Sequence, residues 1–138
     1  YIARAAVNNL PSIDLGRGSR LPAWATSMGR VLLSSLPEEQ LEVTLSRATL
    51  IRYTPHTLCD LSGLRAEIAR VRMQGYALAD RQIEVGLCSL AVPVLSRHGQ
   101  VVAALNVGVP AATVSAAALK GKALAPLRRA AMDLSLQL

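Results

Sequence analysis

The stretch CSLAVPVLSRHGQVVAALNVGV, Cys88–Val109, decides how this chain is read. Cys88–Leu95 and Val101–Val109 are apolar runs of strand length, and Arg97-His98-Gly99-Gln100 between them has the chemistry of a turn. The pattern predicts two strands joined as a hairpin. Alternation puts Ser89, Ala91 and Pro93 on one face of the first strand, and Ala104, Asn106 and Gly108 on one face of the second. Cys88 then points away from the Ser89 face. A polar Asn in an apolar strand needs a partner when buried, so Asn106 is either a satisfied structural residue or part of a cavity wall.

Upstream, Tyr76–Leu78 reads as one more short strand, and before it the period becomes helical. Asp60 caps a helix with Leu61, Leu64, Ile68 and Val71 on one face and Gly75 at its end. Ser35-x-x-Glu38, with Pro37 in the first turn, fits a capping box ahead of Leu41 and Leu45. Thr26 caps a helix through Met28, Val31, Leu32 and Leu33. Tyr1–Val7 suggests a strand, Asn8–Arg20 a loop or short hairpin, and Arg47–Thr57 an irregular segment. Downstream, Thr113 opens a helical tail with Leu119, Leu127, Ala131 and Leu134 on one face, and Gly121 and Pro126 suggest a break or kink. The sum is a single α+β domain over residues 1–138, a mainly antiparallel sheet flanked by helices. The chain opens on Tyr1 as though already inside a strand, and reads as part of a longer protein.

Composition removes several classes of function. With 51% hydrophobic residues among 138 the chain is no disordered segment, and with 3% aromatics and no Phe its core must be aliphatic. No apolar run is long enough to span a bilayer, and no signal peptide is visible. A net charge of +6 and a pI near 10.2 raise nucleic acid as a partner. Yet Arg4, Arg30, Arg47, Arg65, Arg81 and Arg97 are scattered, which favours a solvated face, and only Lys120, Lys122, Arg128 and Arg129 gather. Cys59 and Cys88 form no CxxC pair and suit a reducing cytoplasm. The histidines are His56 and His98; a Cys88/His98 nucleophilic pair lacks an orienting third group. Metal ligands do not cluster, and no cofactor is called for.

Gly18-Ser19-Arg20-Leu21-Pro22, Thr26–Leu33, Gly75-Tyr76, Asp80 ahead of Gly86, Ala91–Val94 and Val101–Pro110 occur in an order and spacing that resembles the C-terminal effector-binding domain of IclR-family bacterial transcription regulators, nearly end to end. The wording of Leu21–Leu33 looks closest to the subgroup regulating protocatechuate and β-ketoadipate catabolism. The resemblance implies a GAF-like curved sheet and a pocket for a small organic acid effector. It implies a winged helix-turn-helix domain ahead of Tyr1, which alone contacts operator DNA, and assembly as a homodimer or homotetramer. No membrane partner is expected, since no apolar run could span one.

The candidate site follows from physics and from that resemblance. The Ser27, Met28 and Gly29 amides at a helix start suit a carboxylate, or are ordinarily capped. Arg17 or Arg20 would add a bidentate contact, or Arg20 pairs with Asp14. Trp24 either walls the pocket or anchors the core. The resemblance sets the Ala79–Gly86 loop over the pocket, where Asp80 accepts a ligand hydroxyl or caps the loop, and it lines the cavity with Ser89, Asn106 and Gly108, with Ala91 on their face. In similar proteins a glutamate is frequent where Gln82 stands and an arginine where Cys88 stands, as though two paired charges had been exchanged together. The competing readings are a ligand-free assembly module and, more distantly, a thiol-dependent enzyme.

Overall fold

The computed structural model describes residues 1–3, 5 and 17–138. A 3-10 turn, Ala23–Ala25, leads into α1 (Ser27–Ser34), α2 (Glu38–Arg47) and α3 (Leu61–Gln74). Then come β1 (Ala77–Asp80), β2 (Leu87–Leu95), β3 (Val101–Pro110) and α4 (Ala116–Ser135). The sheet is antiparallel in the order β1-β2-β3, and the fold is α+β as the sequence suggests.

The helix ends are made by the chemistry of their neighbours. Thr26 Oγ1 accepts the Gly29 N–H at 3.1 Å, and Asp60 Oδ2 accepts the Gly63 N–H at 2.7 Å, each filling an otherwise orphan amide. Gly75 closes α3 with φ 75°, its N–H reaching Val71 O at 2.8 Å. The expected capping box at Ser35 does not form. Ser35 ends α1 instead, its hydroxyl donating to Leu32 O at 2.7 Å, and α2 starts after Pro37 with no side-chain cap. In the same way Ser115 caps α4, while Thr113 Oγ1 donates to Pro110 O in the turn before it. α4 runs through Gly121 and Pro126 without a break. The strand expected over Tyr1–Val7 includes Arg4, Ala6 and Val7, and the loop after it Asn8–Gly16; these lie outside the described residues. At the described end, Tyr1 O accepts the Gly18 N–H at 2.8 Å and the Tyr1 backbone nitrogen donates to Ser19 O at 3.1 Å.

β2 is the central strand and yet contains Pro93, which cannot donate to a ladder. β1 stops at Ala77 opposite Ala91, so β2 has only β3 as a neighbour by the time Pro93 is reached. The hairpin turn closes with Gly99 at φ 76°.

Two packed layers flank the sheet. On one side Cys88, Leu90, Val92 and Val94 meet Leu119, Leu127 and Ala131 of α4. On the other side Val31 of α1 and Val71 of α3 close on Ala77 and Ala91. Behind α1, Leu33, Leu41, Leu45, Leu64 and Ile68 pack around Trp24 and Ala25. Each such aliphatic side chain, once buried, contributes about 1.5–3 kcal/mol, which is how a chain without Phe is held together. Arg72 ties the helices at their ends, with Nε on Ser34 O at 2.8 Å and Nη2 on Leu36 O at 3.1 Å, where α1 leaves carbonyls unpaired.

Candidate functional site

The β2–β3 register sets Ser89 opposite Gly108, Ala91 opposite Asn106 and Pro93 opposite Ala104, and β1 adds Ala77 and Ala79 across from Ala91 and Ser89. One face of the sheet is therefore almost entirely small. α1 lies over it because nothing large stands in the way. Ser27, 1% exposed, and Ser89, 8% exposed, share a hydrogen bond of 2.8 Å between their hydroxyls. That bond pins the first residue of α1 to the sheet.

Beside this contact a cleft of about 550 Å³ opens between α1, the outer part of β3 and the beginning of the chain. Thr26, Met28, Gly29 and Leu32 line it from the α1 side, Ala104 and Asn106 from β3, and Tyr1–Ala3 from the start of the chain. The N-terminal end of α1 meets this space, and the amides of Ser27 and Met28 precede the intrahelical ladder. Gly29's amide belongs to Thr26, so two amides rather than three stand ahead of the ladder. Gly29 itself is required by packing. A Cβ there would lie 2.1 Å from Ala23 O, so the 3-10 turn, and not a ligand, occupies the space that glycine leaves.

Of the residues singled out from sequence, Met28, Gly29 and Asn106 meet in the cleft, Ser89, Ala91 and Gly108 lie on the adjoining sheet face, and Ser27 of α1 is bonded to that face. Trp24 does not join them. It is 5% exposed in the helical core, its ring tilted 31° against Tyr53 with centroids 5.9 Å apart, beside a separate groove that also touches Val43 and Ile51. Arg17 and Arg20 are exposed and line neither cleft nor groove; Asp14 lies outside the described residues. Asp80 pairs across β2 with Cys88, on the α4 side of the sheet, and its carboxylate holds Arg81 Nε at 3.0 Å. That contact pushes the Arg81 guanidinium above its ordinary pKa. Burial, followed by the nearby Asp80 charge, pushes the Cys88 thiol up.

Gln82 and Cys88 are not partners. Gln82 Oε1 accepts from Arg30 Nη2 at 2.9 Å and from the Leu58 N–H at 2.8 Å, while Cys88 faces α4. Arg30 is the buried charge that sequence reasoning missed. Grouped with the solvated cations, it is 1% exposed, and desolvation pulls its pKa down against the opposing field of Glu67. The sequence near it carries no signal of this burial, because Gln82 is 52 residues away. His98 lies in the exposed hairpin turn, while Cys88 is near the opposite end of β2, so the thiol–imidazole pair does not assemble. Among the described residues no group of three His, Cys, Asp or Glu side chains is placed to hold a metal ion, and no helix is long and apolar enough to cross a membrane.

The fold defines the class first. A transcriptional regulator from Rhodococcus superposes with a TM-score of 0.93 over 99% of this chain and 55% of that one, at 38% identity. The PobR transcription factor inducer binding domain from Acinetobacter, solved as a double mutant with 3-hydroxy benzoic acid, superposes with a TM-score of 0.86 over 94% of this chain and 74% of that one, at 35% identity. The chain belongs to the family described as bacterial transcriptional regulator IclR C-terminal, whose model matches residues 1–136. The Pca regulon regulatory protein of Pseudomonas putida is 45% identical over all of this chain and 48% of its own length. The p-hydroxybenzoate hydroxylase transcriptional activator of Acinetobacter baylyi is 43% identical over 64% of this chain and 33% of its own. The chain thus spans less than half the length of these two regulators. The relatives are named as regulators, activators and repressors of transcription, and the family is one of regulators rather than enzymes.

Proposed function

We propose that this chain is the sensing domain of a transcription regulator and that its effector is a small organic acid, aromatic or dicarboxylic. The cleft at the start of α1 carries this reading. A carboxylate there meets the amides and the positive end of the helix, and Asn106 offers the opposite wall both a donor and an acceptor. The names of the relatives support the chemical class: a Pca regulon regulator, a p-hydroxybenzoate hydroxylase activator, and a PobR domain holding a hydroxybenzoic acid.

In this reading the effector binds one arrangement of α1 and the 81–86 loop better than another and so shifts the population of an oligomer, a homodimer or homotetramer. The shift moves a winged helix-turn-helix domain ahead of Tyr1, which holds operator DNA in the cytoplasm. Val43, Ile51 and Tyr53, 47%, 48% and 42% exposed beside Trp24, are apolar enough to serve assembly.

The test is the melting temperature of the domain with protocatechuate, 4-hydroxybenzoate and β-ketoadipate, each beside its neutral amide. A specific ligand stabilises the native state by mass action, so a saturable rise with an acid and none with its amide is expected. No rise with any acid refutes the acid-sensing reading and favours a ligand-free assembly module.

A further inference from the structure

Arg30 is a buried cation whose close partners are neutral. Its Nε donates to Trp24 O at 2.8 Å and its Nη2 to Gln82 Oε1 at 2.9 Å. The nearest carboxylate, Glu67, stands at 4.0 Å from Nη1 and has its other oxygen engaged by Arg70. A buried charge depends heavily on each acceptor it has, because losing one leaves an N–H without solvent to replace it.

Gln82 lies in the loop between β1 and β2, and this loop is attached to the rest of the molecule in two ways. Thr54 Oγ1 donates to Arg81 O and Thr57 Oγ1 to Gln82 O, both at 2.6 Å, which fastens the loop to the turn before α3. The Gln82 side chain reaches α1 through Arg30, and its same oxygen holds the Leu58 N–H at 2.8 Å. The loop also carries two costs. Arg81 is held at φ 56°, and Glu84 Oε2 is buried without a hydrogen-bond partner among the described residues. A segment with such costs keeps its shape only while its surroundings over-determine it. α1, for its part, is eight residues long, so Arg30 sits less than one turn from Ser27 and moves with it.

We propose that Gln82 is a positioning residue. Through Arg30 it holds α1 and the 81–86 loop in one arrangement, and it thereby sets the affinity of the cleft for an acid without touching that acid. The affinity arm of the test rests on the acid-sensing reading; the exchange arm does not.

The experiment compares wild type, Gln82→Leu, Gln82→Glu and Thr57→Val by calorimetric titration with 4-hydroxybenzoate, and by hydrogen exchange without ligand. Gln82→Leu should weaken binding roughly tenfold or more, the size of one charged hydrogen bond. Gln82→Glu keeps the acceptor and restores binding. Thr57→Val loosens the loop without cutting the tie to α1, so it lowers the melting temperature and leaves affinity at the wild-type value. If Gln82→Leu binds like wild type, or if both loosened variants lose affinity in proportion to their stability, the proposal is wrong. If wild type itself does not bind, the sensing reading falls while the clamp is still judged. The hydrogen-bonded Gly29 and Arg30 amides at the start of α1 should exchange faster in Gln82→Leu than in Thr57→Val, and equal exchange overturns the clamp. Should Gln82→Leu not fold, Gln82→Glu decides: slower exchange at Gly29 and Arg30 than in wild type is expected, and unchanged exchange refutes it.

Discussion

The two faces of the sheet are built from opposite kinds of residue. Toward α4, β2 presents Cys88, Leu90, Val92 and Val94, and the helix answers with Leu119, Leu127 and Ala131. Toward α1, the same strand presents Ser89, Ala91 and Pro93, and its neighbours present Ala77, Ala79, Ala104, Asn106 and Gly108. The first face is filled, with Leu90 fully buried and Cys88 likewise. The second brings one short helix close and leaves a cleft beside it. A strand of period two can hold both programmes at once, so stability and binding are separable on a three-stranded sheet.

The sharpest way to break this comparison is Leu90→Ala. Loss of a buried leucine beneath α4 should cost about 2–5 kcal/mol in urea unfolding while leaving the affinity of the folded protein for an acid unchanged. A large change in affinity would mean that the faces are not separable. Gly29→Ala follows. Its methyl group would press on the Ala23 backbone, which cannot swing aside as a side chain can, and a loss of about 1–3 kcal/mol is expected from overpacking. A neutral result would show that the 3-10 turn yields.

Ser89→Ala comes next, with about 1–2 kcal/mol lost because the Ser27 hydroxyl is left buried and alone. Adding Ser27→Ala to it should cost little more, since both partners are then gone; additive losses in the double-mutant cycle would deny that the two hydroxyls act as a pair. The smallest effect belongs to Cys88. Its thiol titrates higher in the folded protein than in the unfolded chain. Below the unfolded value of about 8.5 both states keep the proton. Above it only the unfolded chain ionises, so stability falls as pH rises toward the folded value. Cys88→Val should flatten that alkaline slope, and an unaltered slope would place its origin elsewhere.

How much of this was legible in the sequence depended on range. The Thr26 and Asp60 caps, the Gly75 stop and the Arg97–Gln100 turn are local chemistry, and a few neighbouring residues suffice to read them. The capping box failed because Ser35 was claimed by the helix before it, a competition between two local rules. The site was harder. Alternation correctly grouped Ser89, Ala91, Asn106 and Gly108 on one face, but the environment of Trp24 is tertiary and its lone occurrence says nothing about it. Arg30 looked like any surface cation, for its partner Gln82 is 52 residues away. Nor does the sequence tell that the space beside Gly29 is taken by the Ala23 backbone rather than left for a ligand.

The most direct measurement is the amide and methyl NMR spectrum of the domain during a titration with 4-hydroxybenzoate. Saturable shifts at Ser27, Met28, Ala91 and Asn106, with Leu90, Leu119 and Leu127 unmoved, are what this account predicts. Shifts centred on the α4 face or on the Trp24–Tyr53 groove would contradict it.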